Sequence, residues 1–98
     1  MAKEIVWTET AVHDRFQIYQ FWLSHNESQS YSEKLDKLFS ESALLIAQFP
    51  EIGTKTDYKD IRVKIVGNHK LFYKSTGDRI EIIRVWDTRQ NLSDIDLV

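Results

Sequence analysis

The first part of the chain predicts a short strand followed by a helix. Residues Lys3–Trp7 are rich in side chains that favour β-structure. Thr8 suits a helix N-cap, and Glu9 in the first turn complements the helix dipole. A helical stripe then runs through Ala11, Ile18, Tyr19 and Trp22, widened by Val12, Phe16 and Leu23. We expect this helix to end near residues 24–26.

The next segment has the most regular helical period in the chain. It follows a polar, turn-like stretch at residues 26–32. Its apolar face is predicted to consist of Tyr31, Leu35, Leu38, Phe39, Ser42, Leu45, Ile46 and Phe49. Pro50 ends the helix, because the residue before a proline is pushed out of helical geometry. Two helices joined by a short turn predict an antiparallel helical hairpin.

After a loop at residues 50–60 the period changes to two, which is typical of strands. Ile61, Val63 and Ile65 are predicted to share one face, and Arg62, Lys64 and Val66 the other. Turns at 67–68 and 76–78 separate this strand from two more, at 69–75 and 79–87. In the last strand we expect Ile80, Ile82, Arg84 and Trp86 on one face and Ile83 and Val85 on the other.

These elements predict an α+β fold with the order β-α-α-β-β-β. The apolar side of the helical hairpin should pack on one face of a small, mainly antiparallel sheet. A length of 98 residues suits one domain over residues 1–98. Residues 92–98 show no clear period and are expected to form a flexible tail.

The overall net charge of −2 conceals an uneven distribution. Residues 1–54 carry four Lys and Arg against eight Asp and Glu, whereas residues 55–91 carry nine against five. The predicted strands are therefore net basic, which is compatible with a polyanion, with an acidic protein partner or with a merely solvated strand face.

Composition excludes several classes of protein. The absence of cysteine rules out disulfides and Cys-based zinc sites. Apolar runs are too short for a membrane helix, and the first residues do not resemble a signal peptide, so we expect a cytoplasmic protein that does not associate with a membrane. No motif for a metal or an organic cofactor is present, so none is expected.

Candidate chemistry is confined to the cations of the predicted strands. If the hairpin covers the face of Ile61, Val63 and Ile65, Arg62 and Lys64 project outward. His69 and Lys70 follow the first turn, and Arg84 and Arg89 belong to the last strand and its exit. Such a set could bind phosphates or an acidic segment.

Four segments resemble the RelE/ParE superfamily, the toxins of type II toxin–antitoxin systems, which include plasmid stabilisation proteins. They are IVWTETA (5–11), FPEIG (49–53), IRVKIVGNHKLFYK (61–74) and IEIIRVWDTRQN (80–91), and their order covers nearly the whole chain. The resemblance implies a bacterial growth inhibitor that a cognate antitoxin neutralises. It leaves two targets open, since one branch cleaves mRNA on the ribosome and another poisons DNA gyrase.

The resemblance also implies candidate site residues. In the nuclease branch an arginine occupies the position of Lys70, so Lys70, Arg62, Lys64 and Arg89 would bind phosphate and His69 would transfer a proton. Asp87 stands where relatives often have histidine, and no Tyr, His, Lys or Arg follows Arg89. These departures favour a gyrase inhibitor over an enzyme, with an mRNA endoribonuclease and a non-toxic antitoxin-binding relative as alternatives. Residues expected to bind the partner are Arg84, Trp86, Asp87, Leu92 and Ile95.

Overall fold

The computed structural model describes residues 2–26 and 29–88 of the chain. Its elements are β1 (Glu4–Trp7), α1 (Glu9–Asn26), α2 (Gln29–Gln48), β2 (Thr54–Lys55), β3 (Ile61–Val66), β4 (His69–Thr76) and β5 (Arg79–Asp87). The predicted order is confirmed, with one addition: the two-residue strand β2 lies inside the predicted loop. Neither described helix is long and apolar enough to cross a membrane.

The start of α1 is fixed by Thr8. The backbone N–H of Ala11 donates to Thr8 Oγ1 at 3.1 Å, which confirms the predicted N-cap. The Thr8 hydroxyl donates in turn to the carbonyl of Ile83 at 3.0 Å, so the same side chain fastens the helix to β5. The helix ends at Asn26, within the predicted range.

The five strands form one mixed sheet in the order β1-β5-β4-β3-β2. β1 runs parallel to β5, and the other neighbours are antiparallel. The helical hairpin lies between β1 and the meander in sequence, which allows the first strand to pair in parallel with the last. This arrangement confirms the predicted α+β class and the mainly antiparallel sheet.

The main core lies between the helical hairpin and one face of the sheet. α2 contributes the buried side chains of Leu35, Phe39 and Ile46. The sheet contributes Val66, Leu71, Tyr73, Ile80, Ile82 and Val85. Ile5, Trp7, Ile18 and Trp22 pack around this core while partly buried.

A bulge in β5 changes which residues share a face. Tyr73 pairs with Ile82 and Phe72 with Arg84, so Ile83 has no direct partner on β4. An extra residue inverts the alternation beyond it. Val85 therefore joins Ile80 and Ile82 in the main core, and the prediction that Ile80 and Ile82 share a face with Arg84 and Trp86 is wrong.

The predicted orientation of β3 is also wrong. Val66 faces the helices, and the alternation places Arg62 and Lys64 on that same side. Ile61 instead belongs to a second cluster with Phe72 and Trp86, against which Val63 and Ile83 pack. This cluster lies on the sheet face that the helices do not cover, which we call the open face. β3 tolerates the reversal because it lies near the rim of the sheet, where long cationic side chains reach water.

The apolar face of each helix is narrower than predicted. On α1, Val12 and Phe16 are 53% and 59% exposed, so they do not widen the buried stripe. On α2, Tyr31, Leu38 and Leu45 are likewise exposed, as is Phe49 just beyond its end, whereas Ala43 and Ala47 are buried. Ala47 is small where α2 passes close to the start of β1, since the backbone N–H of Lys3 donates to the Ala47 carbonyl at 3.0 Å.

Candidate functional site

Lys70 and His69 are neighbours in sequence but face opposite sides of the sheet. Lys70 stands directly opposite Ile65 on β3 and Trp86 on β5, so it belongs to the open face. His69 stands opposite Val66 and is 2% exposed. Its ring meets that of Phe39 edge-on, with 5.3 Å between the centroids. The structure therefore does not bring the predicted cation and the predicted proton-transfer group together.

Arg62 and Lys64 lie on the helix side of β3, as His69 does on β4. The Nη1 of Arg62 donates to the carbonyl of Gly53 at 2.8 Å and to that of Glu51 at 3.4 Å. Arg62 thus holds the turn that follows α2. Lys64 stands opposite Leu71 and is partly buried. Arg62 and Lys64 share a face with each other but not with Lys70.

The predicted partner-binding residues of β5 occupy different environments. Trp86 is buried in the second cluster, and the guanidinium carbon of Arg84 lies 5.2 Å from the centre of its ring. Arg84 also pairs with Asp14 of α1. Asp87 ends the strand opposite His69 and is partly buried. Arg89, Leu92 and Ile95, together with the predicted tail at 92–98, lie outside the described residues.

Asp14 is a structural residue that sequence reasoning missed. Its carboxylate accepts hydrogen bonds from Nε and Nη2 of Arg84 at 2.8 and 3.1 Å. It also accepts the backbone N–H of Val85 at 3.0 Å. β1 pairs with β5 only as far as Ile82, so Asp14 occupies the edge of β5 where β1 has ended. The one signal in the sequence was its position three residues after Ala11, on the buried side of α1.

Tyr73 is the second missed residue. Its hydroxyl donates to the carbonyl of Pro50 at 2.7 Å and accepts the N–H of Gly53 at 2.9 Å. Burial raises the pKa of this phenol above its ordinary value of 10.0, although the hydrogen bond from Gly53 and the charge of Arg62 oppose that effect. A Cβ at position 53 would lie 2.7 Å from the Tyr73 ring, so only glycine fits there. The FPEIG segment is therefore held against the tyrosine of β4 by two hydrogen bonds and by close packing at Gly53.

A wide cleft lies between the end of α2 and the segment before β3. It has a volume of about 1200 Å³. Phe49, Ile52 and Tyr58 on its wall are each more than two-fifths exposed. Its basic residues are Lys3, Lys55, Lys59 and Arg62, and its acidic ones are Glu51, Asp57 and Asp60. Apolar side chains flanked by charges of both signs are typical of a protein-binding surface.

No three His, Cys, Asp or Glu residues within 2–26 and 29–88 are grouped in a way that could hold a metal ion. The candidate site consists of the cleft beside Phe49 and of cationic side chains on both faces of the sheet, with Lys70 on the open face and Arg62 and Lys64 on the helix side.

Comparisons with known proteins identify the family. The family model described as the ParE toxin of the type II toxin–antitoxin system, parDE, matches residues 5–92. A chain from a solved structure titled "Chromosomal ParDE TA system from P. aeruginosa" has a similar fold, with a TM-score of 0.76. It is 17% identical, and the match covers 88% of this chain and 96% of that one. No curated protein matches. The chain therefore belongs to the ParE toxin family of type II toxin–antitoxin systems.

Proposed function

We propose that this protein inhibits growth by binding DNA gyrase and that a cognate antitoxin neutralises it. The family supports a toxin, and the separation of Lys70 from His69 supports a mechanism without RNA cleavage. A nuclease needs its proton-transfer group within hydrogen-bond reach of the phosphate that its cations bind. Here the sheet lies between Lys70 and His69, and His69, which shares a face with Arg62 and Lys64, is only 2% exposed and packs against Phe39. This separation is the observation that carries the choice of target.

The charge distribution also supports a protein target. A net charge of −2 gives little long-range attraction to bulk RNA, whose binding gains from many phosphate contacts. The cleft beside Phe49, Ile52 and Tyr58 offers exposed apolar side chains between charged ones. A surface of this kind suits a folded protein partner, and we assign it as a candidate contact with gyrase.

A supercoiling assay with purified gyrase tests this function. We expect the protein to block supercoiling, and the product of the adjacent reading frame to restore it when added in equal amount. Phe49→Ser tests the cleft and should weaken inhibition, whereas Leu44→Ser, at an equally exposed residue of α2 that does not line the cleft, should not. Full supercoiling at saturating protein would contradict the proposal.

The alternatives give different results in cells and extracts. Cuts at codon-defined positions of an mRNA, made only in a translating extract, would identify a ribosome-dependent endoribonuclease. Lys70→Ala should then abolish the cuts and the exposed helix substitution Lys34→Ala should leave them intact. Expression without any growth defect would identify a non-toxic relative that only binds an antitoxin.

A further inference from the structure

The segment that leads into β3 is closed on itself by the side chain of Thr56. The backbone N–H of Thr56 donates to the carbonyl of Ile61 at 3.1 Å, and its hydroxyl donates to the same carbonyl at 2.8 Å. The hydroxyl also accepts the backbone N–H of Tyr58 at 3.1 Å. Residues 56–61, which we call the Tyr58 loop, are therefore held in one shape by a half-buried threonine.

A tight turn at Asp60 completes this loop. The N–H of Ile61 donates to the carbonyl of Tyr58 at 3.2 Å, which closes a four-residue β-turn. Asp60, the third residue of the turn, has a φ of 65°, and a type II turn requires a positive φ at this position. It is the only non-glycine residue with a positive φ in the described part of the chain. Such a conformation is often retained at a functional site, where it fixes the position of a neighbouring group.

The Tyr58 loop presents its tyrosine to the cleft that we assign to gyrase. Tyr58 is 43% exposed, and Phe49 and Ile52 on the same cleft are 58% and 44% exposed. The part of the cleft wall that follows α2 is also fixed, because Arg62 donates to the carbonyl of Gly53 at 2.8 Å. A partner that binds between two fixed walls loses little free energy to ordering them.

Charge indicates which kind of partner suits Tyr58. Asp57 and Asp60 belong to the same loop, and Glu51 lines the same cleft. A nucleic acid that stacked a base on the tyrosine would bring its phosphates close to these carboxylates, which would repel them. Lys59 adds the opposite charge, so the apolar centre is bordered by both signs. This arrangement suits a folded protein, and tyrosine is one of the residues that most often dominate such interfaces.

We propose that Tyr58 is the anchor residue of the contact with gyrase and that Thr56 and Asp60 position it. This inference rests on the proposed function, since it takes gyrase as the partner. The phenol ring enters an apolar pocket of gyrase, and its hydroxyl donates a hydrogen bond to an acceptor there. Thr56 and Asp60 act through Tyr58, because they fix the backbone from which its side chain projects.

Substitutions of Tyr58 test the anchor in a supercoiling assay and in direct binding to purified gyrase. We expect Tyr58→Ala to raise the inhibitory concentration and the Kd about thirtyfold or more, which is typical of an anchor residue. Tyr58→Phe keeps the ring and should give an intermediate loss. The matched control is Tyr31→Ala, which removes a tyrosine of similar exposure, 39%, that does not line the cleft. Its inhibition should equal that of the parent.

A double-mutant cycle separates positioning from a general structural role. Thr56→Val removes the hydroxyl and should weaken binding to gyrase about three- to tenfold, since it breaks two hydrogen bonds of ordinary strength. Thr56→Ser keeps the hydroxyl and should bind as the parent does. In a Tyr58→Ala background, Thr56→Val should cause no further loss, because the residue that it positions is absent. Asp60→Gly should keep full inhibition, since glycine readily adopts the same φ.

Each failure has its own result. If the parent blocks supercoiling and Tyr58→Ala blocks it equally well, the anchor is wrong and the proposed function stands. If Tyr58→Ala instead dissociates a dimer of the parent without changing inhibition, the loop binds a second copy of the chain and not gyrase. If Thr56→Val weakens binding by the same factor with and without Tyr58, the positioning role is wrong. A parent that leaves supercoiling intact contradicts the proposed function and this inference together.

Discussion

Asp14 and Arg84, 70 residues apart in sequence, form a two-point ion pair that joins α1 to β5, with N–O distances of 2.8 and 3.1 Å. Both side chains are largely buried, and Asp14 also accepts the N–H of Val85. The pair stands where β1 no longer covers the edge of β5. The Asp14 carboxylate therefore accepts hydrogen bonds from both the Arg84 side chain and the Val85 backbone.

Removing one member of this pair should destabilise the fold strongly. Asp14→Ala leaves the Arg84 guanidinium and the Val85 N–H without their acceptor, so we expect a loss of about 3 kcal/mol in the free energy of unfolding. Urea denaturation measures it. The matched control is Glu41→Ala, which breaks the exposed pair with Lys37 at 3.9 Å and should cost about 0.5 kcal/mol or less. Similar losses for the two variants would show that the buried pair contributes no more than a surface pair.

Tyr73→Phe tests the hydroxyl that joins β4 to the turn after α2. The variant keeps the ring in the core but leaves the buried Gly53 N–H and the Pro50 carbonyl without their partner. We expect a loss of about 1–3 kcal/mol in urea denaturation. Tyr58→Phe provides the control, since Tyr58 is exposed and its loss should be close to zero. A Tyr73→Phe variant as stable as the parent would contradict this role.

The same phenol predicts a loss of stability in alkali. Its pKa in the folded state is raised above 10.0, so above that pH the unfolded chain releases the proton before the folded one does. The stabilisation is fully present below pH 10 and falls as the pH rises through the pKa of the folded state. Denaturation curves from pH 9 to 11.5 should show a steeper decline for the parent than for Tyr73→Phe. Parallel declines would count against a raised pKa.

Gly53 should tolerate substitution less well than a glycine in a β-turn. A Cβ at position 53 would lie 2.7 Å from Tyr73 and 2.8 Å from the Val63 carbonyl, so Gly53→Ala forces the β4 tyrosine or the backbone to move. We expect a loss of about 1–3 kcal/mol. Gly77→Ala meets no atom within 4 Å but adopts a φ of 56°, which costs roughly 1 kcal/mol. Thermal unfolding of the two variants measures these costs. A lower unfolding temperature for Gly77→Ala than for Gly53→Ala would contradict the prediction.

Local rules predicted the elements because the signals lie within each segment. Thr8 caps the helix that follows it, and Pro50 stands just beyond the end of α2. The strands separated by Gly67 and Gly77 begin and end close to their predicted positions, and both glycines have a positive φ. β2 was missed because a two-residue strand carries no period of its own and forms only through its pairing with β3.

The faces of the strands could not be predicted with the same success. The bulge at Ile83 moves the side chains beyond it to the opposite face of the sheet from the one that simple alternation predicts. The sequence pattern does not indicate that a strand contains an extra residue. The orientation of β3 failed for a related reason: Ile61, Val63 and Ile65 form the more apolar set, yet they face away from the helices. A second apolar cluster on the open face supplies the burial that the pattern assigned to the hairpin.

The candidate site depended on these faces. Residue types alone grouped Lys70, His69, Arg62 and Lys64 as a cationic set, and the sheet distributes them over both sides. The ion pair of Asp14 with Arg84 and the unit of Tyr73 with Gly53 could not be inferred either, because each joins residues 20 or more positions apart.

The sequence by itself determined the class of fold, the order of its main elements and the family, because capping, periodicity and turn residues act over a few neighbours. Only the tertiary structure decided which face of the sheet the helices cover and which cations share a side. Those outcomes depend on register and on a single inserted residue in β5. A shift of one position in a strand moves every following side chain to the other face.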